Sequence, residues 1–151
     1  MSVRYDGQVA IEIPELRRQI RTAIELSKKN AAARRSRSDT AQRDYEKFLG
    51  EIAVPTVQQF ASALAGEGHF FNVATPAESV RLSSASAAGD YIELALDTSQ
   101  DPPEVIARVN RGRGRRMVTS ERPVRERTAV ADLTAEDVVT LLLQEITPFL
   151  S

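Results

Sequence analysis

The chain predicts an α+β protein: two N-terminal helices, an antiparallel β-meander of four to six strands, and a C-terminal helix packed on the sheet. Three observations carry that prediction. Apolar residues recur every three or four positions across 15–66, the period shortens to two from His69 onward, and a helical period returns at 134–150. Helical and extended stretches that are segregated along the chain, rather than alternating, suit α+β and not a parallel sheet. With 151 residues the chain has the length of one domain, 1–151, enough to bury roughly 70% of its unfolded surface.

The first helical stretch, "IPELRRQIRTAIELSKKN", has Pro14 at a suitable first position and Glu15 beside the positive helix end. Leu16, Ile20, Ala23 and Ile24 then fall on one face. The stripe fades through "KKNAAARRSRS" and resumes with Tyr45, Phe48, Leu49, Ile52, Phe60 and Leu64, stopping at "GEG". Asp39 with Gln42 three residues later has capping-box spacing, and the two stripes do not share one heptad register. A break near Asp39 is therefore expected, giving two helices rather than one rod. Pro55 should kink or restart the second, since it cannot donate to the Glu51 carbonyl.

Between His69 and Val130, "HFFNVAT", "SVRLSSAS", "DYIELALDT", "EVIARVN", "RRMVTS" and "PVRERTAV" are strand-like and separated by Pro- or Gly-bearing turns. In "YIELALDT", Ile92, Leu94 and Leu96 face one way while Glu93 and Asp97 face the other, the alternation of a sheet with one buried and one wet face. The short connections suit hairpins. "VAIEI", before Pro14, alternates as well and is expected as an edge strand. In the last stretch, "LTAEDVVTLLLQEITPFL", Thr134 and Asp137 have N-cap and third-position spacing. Val138, Val139, Leu141, Leu142, Leu143 and Ile146 predict a helix buried on more than one side.

Chemistry is harder to find. The chain has no cysteine, which removes disulfides, thiolate metal sites and cysteine nucleophiles. No apolar run approaches the ~20 residues of a membrane helix, and the first residues lack the pattern of a signal peptide. A cytoplasmic protein with no membrane association is expected. His69 is the only histidine, so a zinc site would need carboxylates for its other ligands. No serine lies in a Gly-x-Ser-x-Gly turn. Asp90, Glu93, Asp97 and Asp101 raise a metal-dependent nuclease as a remote alternative, but Ala95 stands where such a site would carry lysine. No cofactor is indicated.

Charge is sorted along the chain. Residues 28–37 are purely basic, 82–107 purely acidic, 108–127 hold eight arginines against two glutamates, and 128–151 are purely acidic. The densest stretch, "RVNRGRGRRM", is no dinucleotide or Walker loop, because a strand follows it instead of a helix. Its glycines suit a hairpin turn. Arg111, Arg113, Arg115 and Arg116 are not needed for a turn and make a candidate phosphate- or partner-binding site, which Arg122, Arg125 and Arg127 would extend. No aromatic lies between Tyr91 and Phe149 to stack on bases. The favoured expectation is a non-enzymatic module that binds a protein partner or itself, forming a homo-oligomer through Leu16, Ile20 and Ile24. Nucleic acid bound by the 108–127 hairpin is the alternative.

Overall fold

No proline or glycine interrupts residues 15–49, and the middle of that span is rich in Ala, Lys and Arg, which are strong helix formers. The computed structural model, which describes residues 2–5, 8–87 and 89–150, shows the consequence. After a hairpin of β1 (Ser2–Tyr5) and β2 (Gln8–Ile11), a single helix α1 runs over Ile13–Phe48. The break expected near Asp39 is absent, so the two N-terminal helices are joined into one. Strong local propensity carries the helix across the stretch where the apolar stripe fades. The stripes are also in phase once the period is 3.6 and not 3.5: 29 residues separate Leu16 from Tyr45, within roughly 20° of eight whole turns.

Pro55 acts where expected. α1 passes into a π-helical turn, Leu49–Ala53, and then into α2, Val54–Gly66, with Pro55 in its first turn. The Val54 N–H reaches back five residues to the Leu49 carbonyl, so the wider turn absorbs the donor that proline lacks. α2 ends as "GEG" predicts. Gly68 takes a φ of 87°, while the His69 N–H bonds the Leu64 carbonyl and the Gly68 N–H that of Ala65, the paired bonds of a Schellman stop.

The chain divides into two units, Met1–Ser36 and Arg37–Ser151. In the first, β1 and β2 form a two-stranded antiparallel sheet, with Ser2 opposite Ile11 and Tyr5 opposite Gln8. "VAIEI" thus contributes a strand, but to this separate hairpin and not to the edge of the main sheet, because β1 supplies its partner.

The second unit holds a five-stranded antiparallel meander in sequence order: β3 (Phe71–Ala74), β4 (Val80–Ser84), β5 (Tyr91–Asp97), β6 (Glu104–Arg113) and β7 (Arg116–Pro123). "PVRERTAV" adds no sixth strand. After Pro123 the Val124 N–H makes one last bond, to Val105, and Arg127 takes a positive φ of 53° that ends extended structure. Helix α3 (Ala135–Ile146) follows, opened by the predicted capping box of Thr134 and Asp137.

Period-two alternation directs Leu82, Ile92, Leu94, Ala107 and Val109 to one face of the sheet, where they join one core with Tyr45, Phe48, Val57, Leu64, Val138, Leu141, Leu142 and Ile146. α3 buries only one stripe. Leu142 is 1% exposed and Leu143 is 57% exposed, since neighbours on a helix point about 100° apart. The expectation of burial on several sides is corrected accordingly.

The opposite face of the sheet is less wet than its alternating charges suggest. Arg81, Glu93, Arg108 and Glu121 stand directly across from one another on β4, β5, β6 and β7. Arg81 donates to Glu93 at 2.8 Å, Arg108 reaches Glu93 at 3.3 Å and Glu121 at 2.8 Å. The Arg81 guanidinium also lies 4.0 Å over the Tyr91 ring. Beside this ladder Ala95, Ile106 and Pro123 face one another in register. Glu93 and Ile106 are both buried.

Candidate interaction surfaces

No described residue of α1 from Ile13 to Thr40 is buried; Ala41 is the first. Leu16, Ile20 and Ile24 are spaced by four and so share one face of the helix, with 43%, 50% and 48% of their surfaces exposed. Ile13 extends the same row. Beside them Arg18 meets Glu15 at 2.9 Å across one turn, an exposed contact of small energetic weight. These four aliphatic side chains, 43% to 72% exposed, leave an apolar row uncovered along one face of the helix.

The second surface is the tip of the β6–β7 hairpin. Arg113 pairs with Arg116, leaving Gly114 and Arg115 as a two-residue loop, with Gly114 at a φ of 60°. Only one of the two glycines serves the turn. Gly112 is in the strand, donating its N–H to the Asp90 carboxylate at 2.7 Å, and a Cβ there would sit 3.4 Å from that oxygen. The register places Arg111, Arg113 and Arg116 on one face and Arg115 in the loop. None of the four makes an ion pair or side-chain hydrogen bond with a described residue. Arg122 and Arg125 do not extend this patch. Arg122 binds Glu145 at 3.0 Å and also Gln144, and Arg125 binds Asp137 at 3.3 Å, so Arg122 ties the sheet, and Arg125 the segment after it, to α3.

The four carboxylates considered for metal chemistry are drawn apart. Asp90 accepts from Gly112, Glu93 sits between two arginines, and Asp97 accepts from the backbone and hydroxyl of Ser99. Those Ser99 bonds hold the Asp97 carboxyl below its usual range. Asp101 takes a two-pronged contact from Arg37 at 3.0 and 2.9 Å. Among the described residues no three of His, Asp and Glu converge as metal ligands, and His69 is a half-buried residue of the turn after α2. A groove of about 340 Å³ runs past Gln42, Tyr45, Glu78, Arg81 and Glu93. Its groups are already engaged: the Tyr45 hydroxyl donates to the Glu78 carbonyl and the Gln42 amide to the Glu78 carboxylate.

The buried Glu93 ladder was missed by reading each strand alone. Its signal was present as charged residues at outward positions of three consecutive strand segments, "VRL", "IEL" and "ARV". Pairing them requires the register.

Comparison with protein-family models, with curated proteins and with solved structures finds no match for the chain. Among the described residues no helix is long and apolar enough to cross a membrane.

Proposed function

We propose that the protein is a non-enzymatic interaction module that self-associates, as a dimer, through the face of α1 bearing Leu16, Ile20 and Ile24. The observation that supports this is their exposure on a helix with no buried residue before Ala41. An isolated helix gains little from propensity alone and is ordinarily held by packing of its apolar face. Covering what remains exposed of these side chains would contribute on the order of 1 kcal/mol each. A cytoplasmic location belongs to the same reading.

The test is the mass of the purified protein in solution. Sedimentation of the unmodified protein should give a dimer, and Ile20→Lys with Ile24→Lys should give a monomer with its sheet intact. A monomer at tens of micromolar before any substitution would sink the proposal.

A second reading, nucleic-acid binding at the hairpin tip, is favoured by one observation. Arg113 and Arg116 face each other directly across the strands, an arrangement that repels itself without an anion. Phosphate would supply that anion. Nucleic acid that co-purifies and is released by salt would support this reading over the first.

A further inference from the structure

The two edges of the five-stranded sheet are unlike. β3, at one edge, has four residues. β7, at the other, has eight, pairs with β6 in unbroken register from Arg116 to Pro123, and carries its only proline at the last position. Among the described residues no strand pairs with its outer side. Short length, bulges and prolines are devices that blunt a sheet edge, and β7 has none of them before Pro123. We infer that β7 is a docking edge, to which an extended acidic peptide adds as a further strand. Docking there does not depend on self-association through α1.

One bond shows which backbone groups face outward. The Val124 N–H donates to the Val105 carbonyl, and these two residues continue the register of β6 and β7. Groups directed at a given neighbour alternate along an antiparallel strand. Val118, Ser120 and Arg122 therefore turn their N–H and C=O groups to β6, whereas Met117, Thr119 and Glu121 turn theirs away from it. The outer side so presents donors and acceptors in alternation, which complements a peptide backbone. A phosphate backbone offers acceptors alone and would meet the carbonyls without a donor.

The side chains also leave room for a neighbour. Met117 is 54% exposed and Val118, on the opposite face of the strand, 42%; residues of an added strand would cover both. At the far end of β7 a groove of about 500 Å³ separates Arg122 and Pro123 from Asp137, Thr140 and Gln144 of α3. Side chains on the helix side of an added strand would enter it.

Charge commits the occupant to an acidic one. Residues 108–127 hold eight arginines against two glutamates, and Glu121 is already held by Arg108 at 2.8 Å. Among the described residues Arg111, Arg113, Arg115 and Arg116 have no acidic partner. The same stretch of a second copy would bring its own arginines and be repelled. Carboxylates of an acidic peptide would instead be drawn to the tip and oriented along the edge.

The test uses the full chain and a fluorescein-labelled peptide of the same length as β7, alternating valine and threonine with glutamates at both ends. The unmodified protein should bind it, and the same peptide fully N-methylated, which keeps its charge but loses its backbone donors, should not bind. Thr119→Pro removes one outward N–H and keeps every backbone bond to β6, a position where an edge strand tolerates proline. It should weaken binding about tenfold, the worth of a backbone hydrogen bond. Thr119→Val, which loses only the hydroxyl bond to Asn110, should bind as the unmodified protein does. Changing the four tip arginines to Ser should weaken binding and reduce its dependence on salt. Equal binding of the plain and N-methylated peptides would mean charge attraction alone and overturn strand addition. A DNA duplex bound more tightly than the peptide, and unaffected by Thr119→Pro, would give the tip to nucleic acid and overturn it as well. A dimer of the unmodified protein that Thr119→Pro dissolves would give the edge to a second copy. Absence of binding at millimolar peptide would leave the edge without this partner.

Discussion

Glu93 is buried although the alternation of its strand assigns it to the wet face. Its side chain is 7% exposed between Arg81 and Arg108, which retain 34% and 37%. Removing one partner of a buried ion pair is costly because the remaining charges stay desolvated. Here the arginines are partly hydrated, which lowers that cost. Glu93→Gln should therefore destabilise the fold by about 2 kcal/mol at neutral pH, read from the urea midpoint. A loss below about 0.5 kcal/mol would mean that the pair is merely a surface one. Tyr45 gives a pH-dependent counterpart. Burial first, and the charges of Glu78 and Glu93 after it, push its phenol above the ordinary value of 10.0. A raised pKa in the folded state means that the fold prefers the neutral phenol. Its contribution is intact below about pH 10 and is lost as pH rises above it. Tyr45→Phe should cost about 1 kcal/mol at neutral pH, through the lost bond to the Glu78 carbonyl, and should flatten the alkaline decline. Identical declines for both proteins between pH 8 and 11 would refute the assignment.

At the scale of elements, α3 and the β6–β7 hairpin make opposite predictions about tolerance. Adjacent positions on α3 separate core from surface. Leu142→Asp would bury an unpaired carboxylate at a site 1% exposed and should cost several kcal/mol, enough to unfold an ordinary domain. Leu143→Asp, at a site 57% exposed, should leave the melting temperature nearly unchanged. Equal loss from both would place α3 differently. The hairpin tip should tolerate far more. Changing Arg111, Arg113, Arg115 and Arg116 together to Ser keeps Gly114 and its positive φ, and relieves the repulsion of Arg113 against Arg116. Stability should hold or rise slightly. If the tip grips phosphates, four contacts imply a slope of log affinity against log salt of about −3.6, abolished in the four-serine protein. The self-association reading instead expects weak binding to a generic duplex both before and after the change.

For the whole molecule, the sorted charge blocks turn out to neutralise one another across the fold. Arg122 and Arg125, from the basic stretch, meet Glu145 and Asp137 of the acidic end; Arg108 and Arg37 meet Glu93 and Asp101 of the acidic middle. Among the described residues, Arg111, Arg113, Arg115 and Arg116 stand at the hairpin tip without an acidic partner. A salt titration should separate these roles. Stability of the exposed pairs should weaken modestly as salt rises. On the self-association reading, a dimer formed through Leu16, Ile20 and Ile24 should persist in high salt, because apolar burial is strengthened or unchanged by it. A dimer that dissociates in 1 M salt would shift the weight of association from the apolar row to charge.

The Thr134–Asp137 cap, the stop at Gly68 and the disturbance at Pro55 were legible in the chain because each depends on residues within a turn or two of one another, and the α+β class and the meander because hydrophobic period and short connections mark successive antiparallel strands. Leu16, Ile20 and Ile24 could be placed on one face for the same reason, since helical period alone decides it. Three features were not legible, the first for a local reason and the other two because they needed tertiary structure. The continuity of α1 past Asp39 depended on propensity outweighing a capping signal, a competition between local terms that no single motif resolves. The one-sided burial of α3 depended on which of its apolar neighbours met α2 and the sheet. The pairing of Glu93 with Arg81 and Arg108, and of Arg122 and Arg125 with α3, depended on strand register and on contacts between residues more than ten positions apart. Charge in a sequence has a sign and a position but no partner; distance in the folded chain supplies the partner, and so decides which arginines are bound within the protein and which are left to meet something else.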